Sequence, residues 1–327
     1  MRKAFLSVLM LLAAFATQAQ ERTEPVRGWA VVEFSTNFMR EEPDYVAENG
    51  DQALMGTVVE TIGSQGYWRQ IVSPEPYTAW VNEMGLVEMD EEEINDYIDS
   101  YKYICTADFT HILAEPSPSG ERISDFVMGG LVRSLFDSKG KPLKSGKYLA
   151  CMLPSGKCGW VLRSDVEDFD EWVATREMTP EAIVATAEEF LGVPYMWGGT
   201  SIKHVDCSGL TRSVYYMNGI LLPRDASEQA LVGRDAPLDA LEPGDLLFFG
   251  TPATEEKAAR VSHVGIYIGD GVYIHASQLV RLSSLDPDSP DYADRDPLWA
   301  RRILGSVDDG HGVVSIAKSP WYFSQIQ

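Results

Sequence analysis

Two histidines and one cysteine are the residues whose types and spacing suggest covalent chemistry in this 327-residue chain. Val261 to Gly269 alternates apolar with small or polar residues, Gly269-Asp270-Gly271 reads as a turn, and Val272 to Ser277 alternates again. With the turn centred on Asp270, His263 lies opposite Ser277. His275 is then its diagonal neighbour on the same sheet face, about 7–8 Å away between backbones. Val264, Ile266, Ile268, Val272, Ile274 and Ala276 point the other way, into a core. The third residue, Cys207, stands in Asp206-Cys207-Ser208-Gly209, where a loop enters a helix. A thiol at a helix N-terminus meets free N–H groups and a partial positive charge, which favour thiolate. A histidine on the facing sheet can complete an ion pair, and the second histidine can orient the first through its other ring nitrogen. A buried, unreactive cysteine is a common fate for such a residue. It would explain neither the helix-start placement nor the polar Asp206 and Ser208.

Stepping outward, the elements that must hold these groups can be read from periodicity. Thr179 can cap a helix starting at Pro180, with Ile183, Ala187, Phe190 and Leu191 on one face and Gly192 as its stop. The helix after Cys207 places Leu210, Val214 and Met217 on one buried face and ends at Gly219. Gly244 to Gly250 reads as a strand beside the histidine hairpin. Residues 169–306 are therefore expected to form an α+β domain with an antiparallel sheet.

Upstream the pattern differs. From residue 28 to 168, short runs rich in Val, Ile, Tyr and Trp are broken at close intervals by Gly, Pro, Asn and Asp, as small antiparallel barrels require. Trp80-Val81 followed by Val87-Glu88 returns as Trp160-Val161 followed by Val166-Glu167, which predicts two copies, residues 28–99 and 100–168. The acidic stretch Met89 to Ser100 inside the first copy reads as a helical or solvated connector.

Composition narrows the partners. There are 49 acidic against 27 basic residues, for a formal net charge of -22, so nucleic acid and anionic membranes are excluded as natural partners. Residues 1–19 read as an export leader, with charged Arg2-Lys3, the apolar run Ala4 to Phe15, and Thr17-Gln18-Ala19 as a small-residue cleavage site. That apolar run is shorter than a membrane span needs, and a periplasmic or extracellular monomer without a span is expected. Four cysteines are too few for a disulfide-built fold and lack zinc-site spacing. Cys151 and Cys158 flank a turn and could be bridged or left as free thiols. Residues 307–327 carry Trp321, Tyr322 and Phe323, which suggests docking onto another part of the chain.

Six segments recur in order: Val193-Pro194-Tyr195-Met196-Trp197-Gly198-Gly199, Asp206-Cys207-Ser208-Gly209-Leu210, Pro223-Arg224-Asp225, Gly244-Asp245-Leu246, Ser262 to Gly269, and Ile274-His275-Ala276. Together they resemble the motifs of the NlpC/P60 cysteine peptidases. With two SH3-like barrels ahead of a papain-like catalytic domain, the chain resembles the γ-D-glutamyl-L-diamino acid endopeptidases of that family. The resemblance implies Cys207 as nucleophile, His263 as base, His275 as the residue orienting it, and Tyr195 beside the developing oxyanion. It implies that Asp206, Ser208, Asp225 and Ala226, with Trp197, hold the free amine and D-glutamyl part of a substrate. A glutamate and a tyrosine of the first barrel are implied to close the cleft; Glu42 and Tyr77 are the matches, with Glu41 nearly equal to Glu42. Arg224 is an alternative structural ion-pair partner. The implied reaction, without metal or cofactor, hydrolyses the γ-D-glutamyl to diamino acid bond of murein peptides bearing a free N-terminal L-Ala. Both lysine and diaminopimelate remain open as the diamino acid. A murein amidase or acyltransferase of the same fold, or a non-catalytic wall-binding protein, stand as alternatives.

Overall fold

The computed structural model describes residues 27–324, so the leader expected over residues 1–19 lies outside the described residues. Two all-β units come first. The first contains seven antiparallel strands, from Gly28–Val32 to Leu86–Met89, around a core of Ala30, Val32, Met39, Val59, Ile71 and Val81. The second runs from Lys102–Cys105 to Val166–Asp168 around Ile112, Phe126, Val132, Cys151 and Val161. Counted within its own unit, each sheet has the spatial strand order 3-2-6-5-4-1-7, leaving aside the two-residue strand Lys144–Ser145 of the second. The Trp-Val repeat falls in the sixth strand of both, Thr78–Asn82 and Cys158–Leu162, and in both a short 3₁₀ turn follows. In neither sheet do the two end strands pair, so the path stays open.

The acidic connector is a helix, α1 (Glu91–Asp99), because Asp90 and Glu93 form a reciprocal capping box. It is more than a solvated charge run: Ile94 and Tyr97 are buried against Val31 and Val58 of the first unit. Cys151 and Cys158 are free thiols. Cys151 pairs with Gly159 and Cys158 with Met152, so the two side chains sit one register step apart and point to opposite faces. Cys151 is in the core and Cys158 is exposed, and bridging them would require a register slip.

Helices α2 (Phe169–Ala174), α3 (Pro180–Glu189), α4 (Cys207–Tyr216) and α5 (Ala226–Gln229) pack with a six-stranded antiparallel sheet. Thr179 caps α3 by accepting from the Ala182 N–H, with Pro180 in its first turn. Ile183, Ala187 and Phe190 are buried as expected, but Leu191 is 44% exposed. It follows the last helical turn, where the chain reverses through Gly192 at φ +87° and no longer follows the helix face. On α4, Leu210, Val214 and Met217 enter the main core, and Gly219 (φ +80°) ends the run. Each such aliphatic side chain contributes about 1.5–3 kcal/mol on burial, which holds α4 against the sheet.

The sheet order is Arg234–Ala236, Trp299–Arg302, Leu246–Thr251, Arg260–Gly269, Val272–Ser277 and Leu279–Ser284. Val264, Ile266, Ile274 and Ala276 face the main core with α4, and Ile268 packs at its edge. The opposite face carries Leu247, Phe249 and Tyr273 in a second, smaller core. The C-terminal residues tie the units together. Trp321 meets Trp29 edge-on at 5.6 Å, and Phe323 stacks on Phe169 of α2 at 5.6 Å.

Candidate active site

Cys207 is the first residue of α4, and the preceding Asp206 accepts from the Gly209 N–H at 2.7 Å. This cap uses the third amide of the helix and leaves the Cys207 and Ser208 N–H groups pointing outward. The close approach depends on Gly209, where a Cβ would lie 1.9 Å from the Gly199 carbonyl oxygen. The α4 start thus sits directly on the Trp197–Gly199 loop. The thiol also lies within hydrogen-bonding reach of the backbone N–H groups of Ser208 and Val264, the latter next to His263.

The hairpin keeps the predicted register at Ile266 opposite Ile274 and Tyr267 opposite Tyr273, but next to the turn it shifts, so Gly269 rather than Ile268 pairs with Val272. Ladder pairing on its other side slips between Phe249 and Gly250, leaving Ser262 unpaired beside His263. Such a bulge re-aims the neighbouring side chain. His263 Nε2 lies 2.7 Å from His275 Nδ1, and His275 Nε2 lies 3.0 Å from Ser283 Oγ. His263 therefore has Nδ1 left for the thiol. For that nitrogen to accept, Nε2 must carry the proton and donate to His275 Nδ1, and His275 Nε2 then donates to the serine. Ser283 was not anticipated. The signal for it was a polar residue on the strand beside His275, two positions beyond Arg281, which pairs with His275.

Electrostatics reverses one expectation. Burial, followed by the nearby Asp206 carboxylate, pushes the Cys207 thiol up to about 11 despite the opposing amide donors. Burial, then His275 and the arginines Arg295 and Arg281, pulls His263 down to about 3, and burial with Arg281 pulls His275 to about 4. Removal from water thus opposes the helix terminus and favours a neutral thiol beside a neutral imidazole over the expected ion pair. Such a pair transfers its proton as the sulfur attacks. Tyr195 is held up to about 12 by burial, with the Cys207 and Asp206 charges adding to it, so its phenol keeps a proton to donate beside the thiol.

Cys207 opens into a cleft of about 470 Å³ lined by Trp197, Asp206, Ser208, Asp225, Ala226 and, from the first all-β unit, Glu41, Gly50 and Tyr77. Seven of the expected residues are thereby brought to one wall. Glu42 is not among the lining residues; Glu41 is. Glu41 ends the run after the strand Thr36–Arg40, and its alternation could not be read through the following loop. Tyr77 is pushed up to about 12 by burial and then by Asp225, so its hydroxyl stays protonated near that carboxylate. Asp206, expected to meet a substrate ammonium, instead spends both oxygens on protein donors. Oδ2 accepts from Gly198 N–H at 2.9 Å and Arg224 Nη2 at 2.5 Å, while Oδ1 accepts from Gly209 N–H and Arg224 Nη1. Arg224 is 2% exposed, in keeping with the structural ion-pair alternative. The free carboxylates of the cleft are Asp225 and Glu41, both exposed.

A profile of the NlpC/P60 family matches residues 192–296. The γ-D-glutamyl-L-lysine dipeptidyl-peptidase of Bacillus subtilis is 45% identical over 104 residues, a match covering 32% of this chain and 34% of that relative. The Bacillus cereus protein of the same name is 28% identical over 264 residues, covering 77% of this chain and 74% of that one. Among solved structures, an NlpC/P60 family protein from Bacillus cereus superposes with a TM-score of 0.69 at 24% identity, over 84% of this chain and 99% of that one.

Proposed function

From the premise that the chain belongs to the NlpC/P60 family of cysteine peptidases, we propose that it hydrolyses the γ-D-glutamyl to diamino acid bond of murein peptides with a free N-terminal L-Ala. The observation that carries this reading is that Glu41 and Tyr77 of the first all-β unit line the Cys207 cleft together with Asp225. Two exposed carboxylates and a protonated phenol suit a substrate ammonium two residues upstream of the cut. In this reading Cys207 attacks the γ-carbonyl as His263 Nδ1 takes the thiol proton. His275 and Ser283 hold the imidazolium that forms, and Tyr195 with the Cys207 N–H donates to the oxyanion. The imidazolium protonates the leaving amine, and water, deprotonated by the same histidine, releases L-Ala-γ-D-Glu.

The names of the two Bacillus relatives support the same bond class. Ser208, Ala226 and Trp197 line the glutamyl portion, and Glu41 takes the role considered for Glu42. We further read residues 28–99 and 100–168 as SH3-like modules, 169–306 as the catalytic domain and 307–327 as a tail, in an exported monomer. The Cys207→Ala protein is expected to release no diamino acid from L-Ala-γ-D-Glu-diamino acid peptide, measured by chromatography. Turnover by that variant would overturn the mechanism, and an undiminished rate on N-acetylated peptide would overturn the free-amine requirement.

A further inference from the structure

A buried chain of charges runs from the first all-β unit to the nucleophile. Asp51, in the strand Asn49–Leu54, is fully buried. Its Oδ2 accepts from Arg212 Nη1 of α4 at 2.6 Å, and its Oδ1 accepts from Thr200 Oγ1 at 2.6 Å and lies 3.0 Å from Arg224 Nε. Beyond Asp51 the chain divides. Arg212 continues to Glu75 at 2.5 Å, away from the thiol. Arg224 instead forks onto Asp206, with Nη1 also donating to Ser208 Oγ at 2.9 Å.

Asp206 joins the start of the nucleophile's helix to the neighbouring loop. It caps the helix that begins with Cys207, and through the Gly198 N–H it holds the loop carrying Trp197, two residues beyond Tyr195. Arg224 is also the residue before Asp225 of the cleft wall. Burial alone would raise the Asp51 carboxyl, but Arg212 and Arg224 more than offset it and hold Asp51 ionised. Without Asp51, Arg212 would keep only Glu75 and Arg224 only Asp206, so each buried guanidinium would lose one of its two carboxylate partners and the contact that fixes it to the first all-β unit.

We propose that Asp51 is a positioning residue for Cys207: acting through Arg224 and Asp206, it makes docking of the first all-β unit and alignment of the nucleophile a single event. A simple interface staple would place the same weight on the Asp51 and Glu75 arms, which are both buried at the same junction. The inference rests on Cys207 as nucleophile and does not depend on which peptide bond is cut.

The test compares Asp51→Asn with Glu75→Gln in the full chain, reading iodoacetamide alkylation of Cys207 by peptide mapping together with peptide turnover. Asp51→Asn is expected to slow alkylation at about pH 8 by about fivefold or more and to lower kcat about tenfold with KM within about threefold. Glu75→Gln should leave both within about twofold. Loss of the Asp51 charge with the geometry intact would favour the thiolate and speed alkylation, so slowing reports lost alignment. Equal effects of the two variants, or unchanged or faster alkylation in Asp51→Asn, would overturn the proposal. Should Asp51→Asn fail to fold, Asp51→Glu keeps the charge but displaces the carboxylate by one methylene, and the same outcomes apply. If wild-type protein leaves the proposed peptide intact, the functional reading falls while the alkylation comparison still decides the role of Asp51.

Discussion

At the scale of single residues, the site is built from groups that burial keeps neutral. Cys207 is 8% exposed and His275 fully buried, so the charged form of each loses hydration that the nearby amides and rings only partly replace. The pH dependence follows in sign. With the thiol held up to about 11, the thiolate fraction grows with every step in pH through the neutral range. Alkylation of the resting Cys207 is therefore expected to accelerate about tenfold per pH unit between about pH 6 and 9, with no plateau. A rate that levels off above about pH 6 would indicate a resting thiolate–imidazolium pair instead. The line His263–His275–Ser283 has a matching logic, since His275 Nδ1 can accept from His263 Nε2 only while His275 is neutral.

At the scale of elements, the cleft is shaped where backbone approaches a side chain too closely for a Cβ. Gly50, on the strand that carries Asp51, is such a position: a Cβ there would lie 2.1 Å from Tyr77 Oη and 3.0 Å from its Cζ. The absence of a side chain lets the phenol reach the end of the cleft. Gly50→Ala is expected to displace Tyr77 and raise KM about tenfold with a smaller change in kcat, because a binding wall rather than the reacting centre is moved. Steady-state kinetics on the peptide checks this, and an unchanged KM would remove Tyr77 from the wall. The bulge at Ser262 acts similarly on the other side of the site. One unpaired residue lets Val261 pack against the main core while His263 stays opposite Phe249, and a second register shift lies between Tyr267 and Gly269.

At the scale of the whole molecule, the first all-β unit is joined to the α+β part by a buried polar junction and by the C-terminal aromatic residues, so stability and site geometry are linked. Burial pulls His263 and His275 from 6.5 down to about 3 and about 4 in the folded chain. The unfolded chain therefore binds more protons than the folded one between those values, and stability falls as pH drops from about 6.5 toward about 4. Urea midpoints measured across this window are expected to decrease steadily. In His263→Asn the slope should flatten by about 1.4 kcal/mol per pH unit, one proton's worth. A slope unchanged by that substitution would mean that His263 is not buried neutral. Asp51 adds in the same direction at lower pH, since its carboxyl is held below the usual carboxylate range and its contribution is lost as pH falls below about 4.

What was legible in the sequence was local. The Thr179-Pro180 start, the Gly192 and Gly219 stops, the helix beginning at Cys207 and the period-two hairpin around Asp270 all depend on residues a few positions apart. The repeated Trp-Val signal likewise announced two units, which the structure shows as one strand order used twice. What only the tertiary structure decided involves distance along the chain or removal from water. Asp206 is a hub as well as a cleft-lining residue because Arg224 and Gly198 converge on it. Glu41 rather than Glu42 faces the cleft because a loop sets its direction, and Ser283 completes the histidine line from a third strand. The upward pull on the thiol and the downward pull on the imidazole have the same kind of origin. Helix-start chemistry can be read from neighbours in sequence, but the cost of burying charge is set by everything packed around it.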